Sequence, residues 1–182
     1  MSYKEIKGDL ISLALKGYFD VITHGCNCQC KMGAGIAPQM VKTFKCNEYP
    51  YQLELAMYKG DVNKLGCIEA HMFEISKDGN VFTPIRGRGY TSDTPPRLFD
   101  LWVVNSYTQY NYGRNHTDGD KKPLDYEALT LCMRKINRIF AGKKIGLPKI
   151  GAGLAGGNWD RIKEIVQTEL KDCDVTVVIY EK

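Results

Sequence analysis

Several things are scarce in this 182-residue sequence, and each scarcity excludes a class of protein. No hydrophobic run approaches the length of a bilayer span, which excludes a helical membrane protein. The opening Met1-Ser-Tyr-Lys-Glu5 has no apolar core of a secretory signal. There are three histidines and no His pair to complete a zinc site, so no metal is expected. The seven cysteines are odd in number, and with no export signal they are expected to be reduced thiols in a cytoplasmic protein. Internal repeats, linkers and low-complexity segments are absent, so residues 1–182 are expected to form one domain, with a core of its own. The net charge of +4 is mild. It suits a small anionic ligand without requiring nucleic acid.

What is present centres on residues 21–37. The apolar run Phe19, Val21, Ile22 reads as a strand over 19–24, ending at Thr23-His24. A loop with Gly25, Gly33 and Gly35 follows, then a helical stretch from Ile36 to Phe44 with Pro38 in its first turn. Strand, glycine loop and helix together aim backbone N–H groups at an anion. A plain tight connection is the alternative. Cys26, Cys28 and Cys30 lie in this loop, and small buried side chains suit that spacing better than metal ligands do.

A second glycine loop, Gly151-Ala-Gly-Leu-Ala-Gly-Gly157, follows a short apolar strand at 144–148. A helix opens after it at Asn158-Trp159-Asp160, with Asn158 suited to the cap. Gly151, Gly153 and Gly156 match G-x-G-x-x-G, yet a dinucleotide fingerprint should open a βαβ unit and meet an acidic residue about 20 positions on. Only one helix and one strand remain here. Two loops converging on one diphosphate fit the chain better.

The other elements fall in order. Residues 3–7 alternate as a strand, and Asp9 follows as a cap for a short helix to Leu15 or as a recognition group; the local sequence favours the cap. Residues 48–59 suit a helix stopped by Gly60. Residues 67–75 and 80–85 flank the turn Lys77-Asp78-Gly79 as a hairpin. A basic Gly/Pro-rich excursion at about 86–97, including Arg86 and Arg88, belongs on the surface. Leu98 to Ser106 reads as a central strand, and the polar aromatic segment 107–114 is placed to line a cleft. Tyr126, Leu129, Met133, Ile136 and Phe140 mark one helix begun at Pro123; Trp159, Ile162, Ile165, Val166 and Leu170 mark the last. Residues 175–180 close the chain as a strand. The fold class is α/β: three layers, α/β/α, around a central mixed, mostly parallel sheet.

With these residues in place the chain resembles a macrodomain, the ADP-ribose-binding α/β/α fold, over almost its full length. The resemblance rests on Gly8-Asp9-Leu10, His24-Gly-Cys-Asn-Cys28 with Met32-Gly-Ala-Gly-Ile-Ala37, Pro148 to Gly157 with Trp159, and Val178-Ile-Tyr180. It is most similar to the small phosphatases that remove the terminal phosphate of ADP-ribose 1″-phosphate. The resemblance implies that Asp9 accepts from the adenine amine with Leu10 nearby, and that Tyr180 lies against the base. It places Asn27 at the distal ribose, and Met32, Gly33, Ala34, Gly35 and Ile36 along the diphosphate and that ribose. Ile150, Gly151, Ala152, Gly153, Leu154, Ala155 and Gly156 wrap the diphosphate from the other side. His24, ahead of the loop and with an ordinary pKa near 6.5, is expected to act as general acid/base. His71 and His116 have no such context.

Departures from other macrodomains narrow the activity. Those that remove ADP-ribose from glutamate or thymine use a Lys where this chain has Gln109, which forms no Schiff base. The glutamate-specific branch also carries an Asp where Ala155 stands, and an Asn-Ala-Ala-Asn first loop is not matched. The resemblance therefore implies a phosphatase of ADP-ribose 1″-phosphate, with a non-catalytic ADP-ribose binder as the alternative. A hydrolase acting on modified protein or nucleic acid ranks third. No cofactor, no membrane or nucleic-acid partner, and a monomer are expected.

Overall fold

The computed structural model describes residues 2–46, 59–83, 97–113 and 123–181. In chain order these form β1 (Tyr3–Lys7), α1 (Leu10–Leu15), β2 (Val21–Asn27), α2 (Ala37–Phe44) and a 3₁₀ turn (Val62–Lys64). Next come β3 (Ile68–Ser76), β4 (Val81–Phe82), β5 (Arg97–Gln109), α3 (Tyr126–Ile139), β6 (Lys144–Leu147), α4 (Trp159–Glu169) and β7 (Asp174–Ile179). The seven strands make one sheet in the order β1-β7-β6-β2-β5-β3-β4. The pairs from β1 to β5 are parallel, and β3 pairs antiparallel with both β5 and β4. The sheet is mixed and mostly parallel, as the sequence predicts.

Two apolar clusters make the three layers. Leu129, Met133 and Ile136 of α3 and Ile162 and Val166 of α4 pack on Val21, Val104, Ile145 and Val177 of the sheet. On the other side, Leu10 and Ile11 of α1 and Met40 and Phe44 of α2 meet Ile22, Phe73, Ile75, Leu101 and Val103. The Phe44 and Phe73 rings are 5.5 Å apart on that face, and Trp102 and Phe140 are 5.5 Å apart on the first. Helix starts follow local chemistry. Asp9, Asp125 and Asn158 each accept from a backbone N–H three residues on, at Ser12, Ala128 and Arg161.

Some expected boundaries move. The second strand runs three residues beyond His24 to Asn27, because β5 continues alongside it from Trp102 to Gln109. The central strand likewise runs past Ser106 and takes in 107–109, the start of the polar aromatic segment. Among the described residues the second arm of the hairpin is Val81–Phe82; positions 84 and 85 of the expected arm lie outside them. Helix α3 starts at Tyr126, three residues after Pro123, where Asp125 supplies the cap. All of the expected helix at 48–59 except Lys59, nearly all of the basic excursion, and His116 lie outside the described residues.

Candidate functional site

The parallel strands all end at one edge of the sheet, where crevices in α/β folds form. A cleft of about 930 Å³ opens there. Its lining follows the strand order: Gly8, Asp9 and Leu10 after β1, Val178 to Tyr180 at the end of β7, Pro148 to Ala155 after β6, Gly25, Asn27, Lys31 and Gly33 to Gly35 on and after β2, and Thr108, Gln109, Tyr112 and Gly113 at the end of β5. One end of the cleft thus belongs to Asp9 and Tyr180, and the other to Thr108, Gln109 and Tyr112. The Gly8 N–H donates to Ile179 O at 2.9 Å, which ties the chain before Asp9 to the chain before Tyr180.

Both glycine loops reach this cleft. The amides of Gly33, Ala34, Gly35 and Ile36 in the first loop, and of Gly151, Gly153, Leu154 and Ala155 in the second, find no acceptor among the described residues. A Cβ added at Gly33, Gly35 or Gly153 would meet nothing within 4 Å, so these backbones face open space. Gly35 has φ +63°, the left-handed region that favours glycine. Facing runs of free N–H groups are what an oxyanion needs. Lys31 and Lys149 also line the cleft and add positive charge, while Asp9 is the one carboxylate in the lining among the described residues.

The first loop is held from below. Cys28 N–H donates to Gln109 O at 3.0 Å and Tyr110 O at 3.1 Å. The Asn27 amide closes a turn onto Lys31, donating to its carbonyl at 2.8 Å and accepting from its N–H at 3.0 Å. Beneath lie the buried side chains of Cys26, Cys28, Cys30 and Tyr107. Burial pushes the Cys28 thiol up to about 12 and those of Cys26 and Cys30 upward as well. No group of three His, Cys, Asp or Glu able to hold a metal occurs among the described residues. Under this layer Lys64, 1% exposed, meets Glu69 at 3.2 Å, and the Tyr107 hydroxyl donates to the other Glu69 oxygen at 2.5 Å.

The cleft gathers Asp9, Leu10, Asn27, Gly33, Ala34, Gly35, Ile36, Gln109, Ile150, Gly151, Ala152, Gly153, Leu154, Ala155 and Tyr180, all from the expected set. Three others sit elsewhere. Met32 packs into the core against both the α1–α2 cluster and the cysteine cluster. Gly156 is outside the cleft lining, and its N–H donates to Gly153 O at 3.0 Å. His24 is the main correction. It lies inside β2, opposite Asn105 of β5, and is fully buried outside the cleft lining. Its Nε2 donates to Asn105 Oδ1 at 2.8 Å, since the Asn105 amide nitrogen is used on Cys46 O. Burial lowers its pKa to about 4, so the ring is neutral at neutral pH. Two expected polar contacts are also partly committed: Asn27 to Lys31, and the Gln109 amide nitrogen to Asn111 O at 2.7 Å. Asp9 caps α1, at 2.6 Å from Ser12 N, as the local sequence favours, and it also lines the cleft.

Sequence reasoning missed Gly25 and Thr108 in the floor, and Lys31, Tyr112 and Lys149 around it. The polar segment beginning at Tyr107 carried a signal for Thr108 and Tyr112; the two lysines carried none.

No protein-family model matches the sequence. The chain is 32% identical over 188 residues to an uncharacterised 17.5 kDa protein from the tk-vs intergenic region of Enterobacteria phage T4, covering 100% of this chain and 98% of that one. The two therefore belong to one family. Among solved structures, a Bacteroides thetaiotaomicron protein of unknown function superposes with a TM-score of 0.65 at 22% identity, over 98% of each chain. The macrodomain of Thermus aquaticus DarG gives 0.54 at 21% identity over 99% of this chain and 98% of its own. Thermosipho africanus DarTG, solved in complex with ADP-ribose, gives 0.62 at 16% identity over 99% of this chain and 41% of its own.

Proposed function

We propose that this chain, a macrodomain by fold and one family with the phage T4 protein, binds ADP-ribose in the cleft between its glycine loops. The observation that carries the reading is the pair of facing loops, each presenting backbone N–H groups that have no acceptor among the described residues. A diphosphate fits between them. The adenine goes to the end that holds Asp9 and Tyr180, an acceptor for its amine beside an aromatic face. The distal ribose then reaches the end formed by Asn27, Thr108 and Gln109. The bound ADP-ribose in the Thermosipho africanus structure supports the choice of ligand.

Removal of a 1″-phosphate is the narrower reading, supported by the N–H groups and Lys31 at the distal side. Among the described residues no histidine lines the cleft, and its one carboxylate, Asp9, is at the opposite end. Binding is therefore the function the geometry supports best. Calorimetric titration with ADP-ribose tests it, with Gly35→Glu as the control. Position 35 opens onto free space, so the fold survives at a cost of about 1–2 kcal/mol for a left-handed residue. The new carboxylate fills the diphosphate path, and binding is lost. Equal affinity in wild type and variant would remove the ligand from the first loop. Phosphate release from ADP-ribose 1″-phosphate then distinguishes phosphatase from binder.

A further inference from the structure

The second glycine loop opens on a cation with no carboxylate of its own. Lys149 comes two residues after β6, is exposed, and lines the cleft. Its ammonium stands 5.2 Å from the centre of the Trp159 ring and makes no ion pair among the described residues. Glu5 of β1 is already engaged, its Oε1 meeting Lys163 Nζ at 3.0 Å and the Tyr3 hydroxyl at 2.8 Å. Those hydrogen bonds hold the Glu5 carboxyl below the ordinary carboxylate range, and the charges of Lys163 and Lys149 add to them. The Lys149 charge is therefore felt on the β1 side of the cleft, whereas the first glycine loop follows β2, on the far side of β6.

The strand order decides which part of a nucleotide this ammonium meets. Asp9 follows β1, Tyr180 follows β7, and Lys149 follows β6 just ahead of the amides at 151–155. With the base at Asp9 and Tyr180 and the diphosphate between the loops, the ribose joined to adenine passes Lys149. That ribose offers two hydroxyls and no charge. In dinucleotide sites a carboxylate takes these hydroxyls, and a cation in its place accommodates a phosphate esterified to one of them. We propose that Lys149 is a specificity-determining residue that selects nucleotides carrying a phosphoryl group on the adenosine ribose, at the 2′ or 3′ oxygen. The inference rests on the ADP-ribose reading of the cleft and names its ligand more closely. The ammonium donates a charge-assisted hydrogen bond to the phosphoryl oxygens, and the indole face steadies the cation without neutralising it.

Calorimetric titration of the wild type compares ADP-ribose with its 2′- and 3′-phosphates at the adenosine ribose. One of the two phosphates should tighten binding about tenfold, and the gain should shrink as sodium chloride is added. Lys149→Met keeps an apolar stem against Trp159 and removes the charge, so the gain should fall to within about twofold of none. Lys149→Arg should restore it. The readout is a ratio of two affinities on one protein, which a general loss of binding or stability does not move. Equal wild-type affinities for all three nucleotides would overturn the assignment and leave the cleft reading standing. A preference that persists in Lys149→Met would overturn it too, since another group would be reading the phosphate. A wild type that binds none of the three would overturn both readings.

Discussion

Replacing His24 with glutamine decides whether this residue serves chemistry or the core. The imidazole is wholly buried, and its pKa falls to about 4 because burial penalises the charged ring. In the unfolded chain it returns to about 6.5. Between these values the unfolded state binds a proton that the folded state refuses, so stability must fall as the solution is acidified. The contribution is complete above pH 6.5 and is lost as pH drops to about 4. A separation of about 2.5 units at about 1.4 kcal/mol each gives a loss of about 3 kcal/mol by pH 4. Glutamine keeps an N–H donor for Asn105 Oδ1 and does not titrate. At pH 7 the variant should be less stable by about 1–2 kcal/mol from altered packing.

Urea unfolding of both proteins at several pH values between 7 and 4 measures the gap. His71 is present in both, so its own lowered pKa cancels in the difference. The gap should narrow by about 3 kcal/mol and change sign before pH 4 is reached. Parallel stability curves would refute the buried-neutral reading, as would a His24 ring titrating near 6.5 by NMR. The same variant at pH 7 should bind ADP-ribose within a few-fold of wild type. If the wild type releases phosphate from ADP-ribose 1″-phosphate and the variant does so about a hundredfold more slowly, His24 regains a catalytic role.

Asp9→Asn separates capping from recognition, since asparagine caps as well as aspartate. Unfolding stability should be unchanged while ADP-ribose binding weakens by about 1.5–3 kcal/mol and an inosine analogue loses less. Equal binding of the two nucleotides by the wild type would count against adenine at this end. Lys64→Met should cost about 3–5 kcal/mol in urea unfolding, because Glu69 would be left buried without its cation. Adding Glu69→Gln should recover much of that loss, and a single variant as stable as wild type would mean that the pair is not closed in solution.

The layers of this fold were legible because their causes are periodic. Stripes such as Leu129, Met133 and Ile136 bury one helix face whatever else the chain does. The glycine loops were legible because free N–H groups and left-handed φ angles favour the same residue type. Strand ends were not, because the length of a parallel strand is set by its partner. Nothing local to Thr23-His24 reveals that β5 runs on to Gln109 and carries β2 with it to Asn27. That extension changes the chemistry of the site. At a strand end His24 would have met the loop and solvent; three residues inside, opposite Asn105, it is sealed in the core. The same pairing brings Thr108 beside Gly25, two residues far apart in sequence whose relation no local pattern records. Residues whose role is set by their own backbone could be identified one at a time. Those whose role is set by a strand partner required the register, which here keeps His24 out of the cleft lining and brings Thr108 into it.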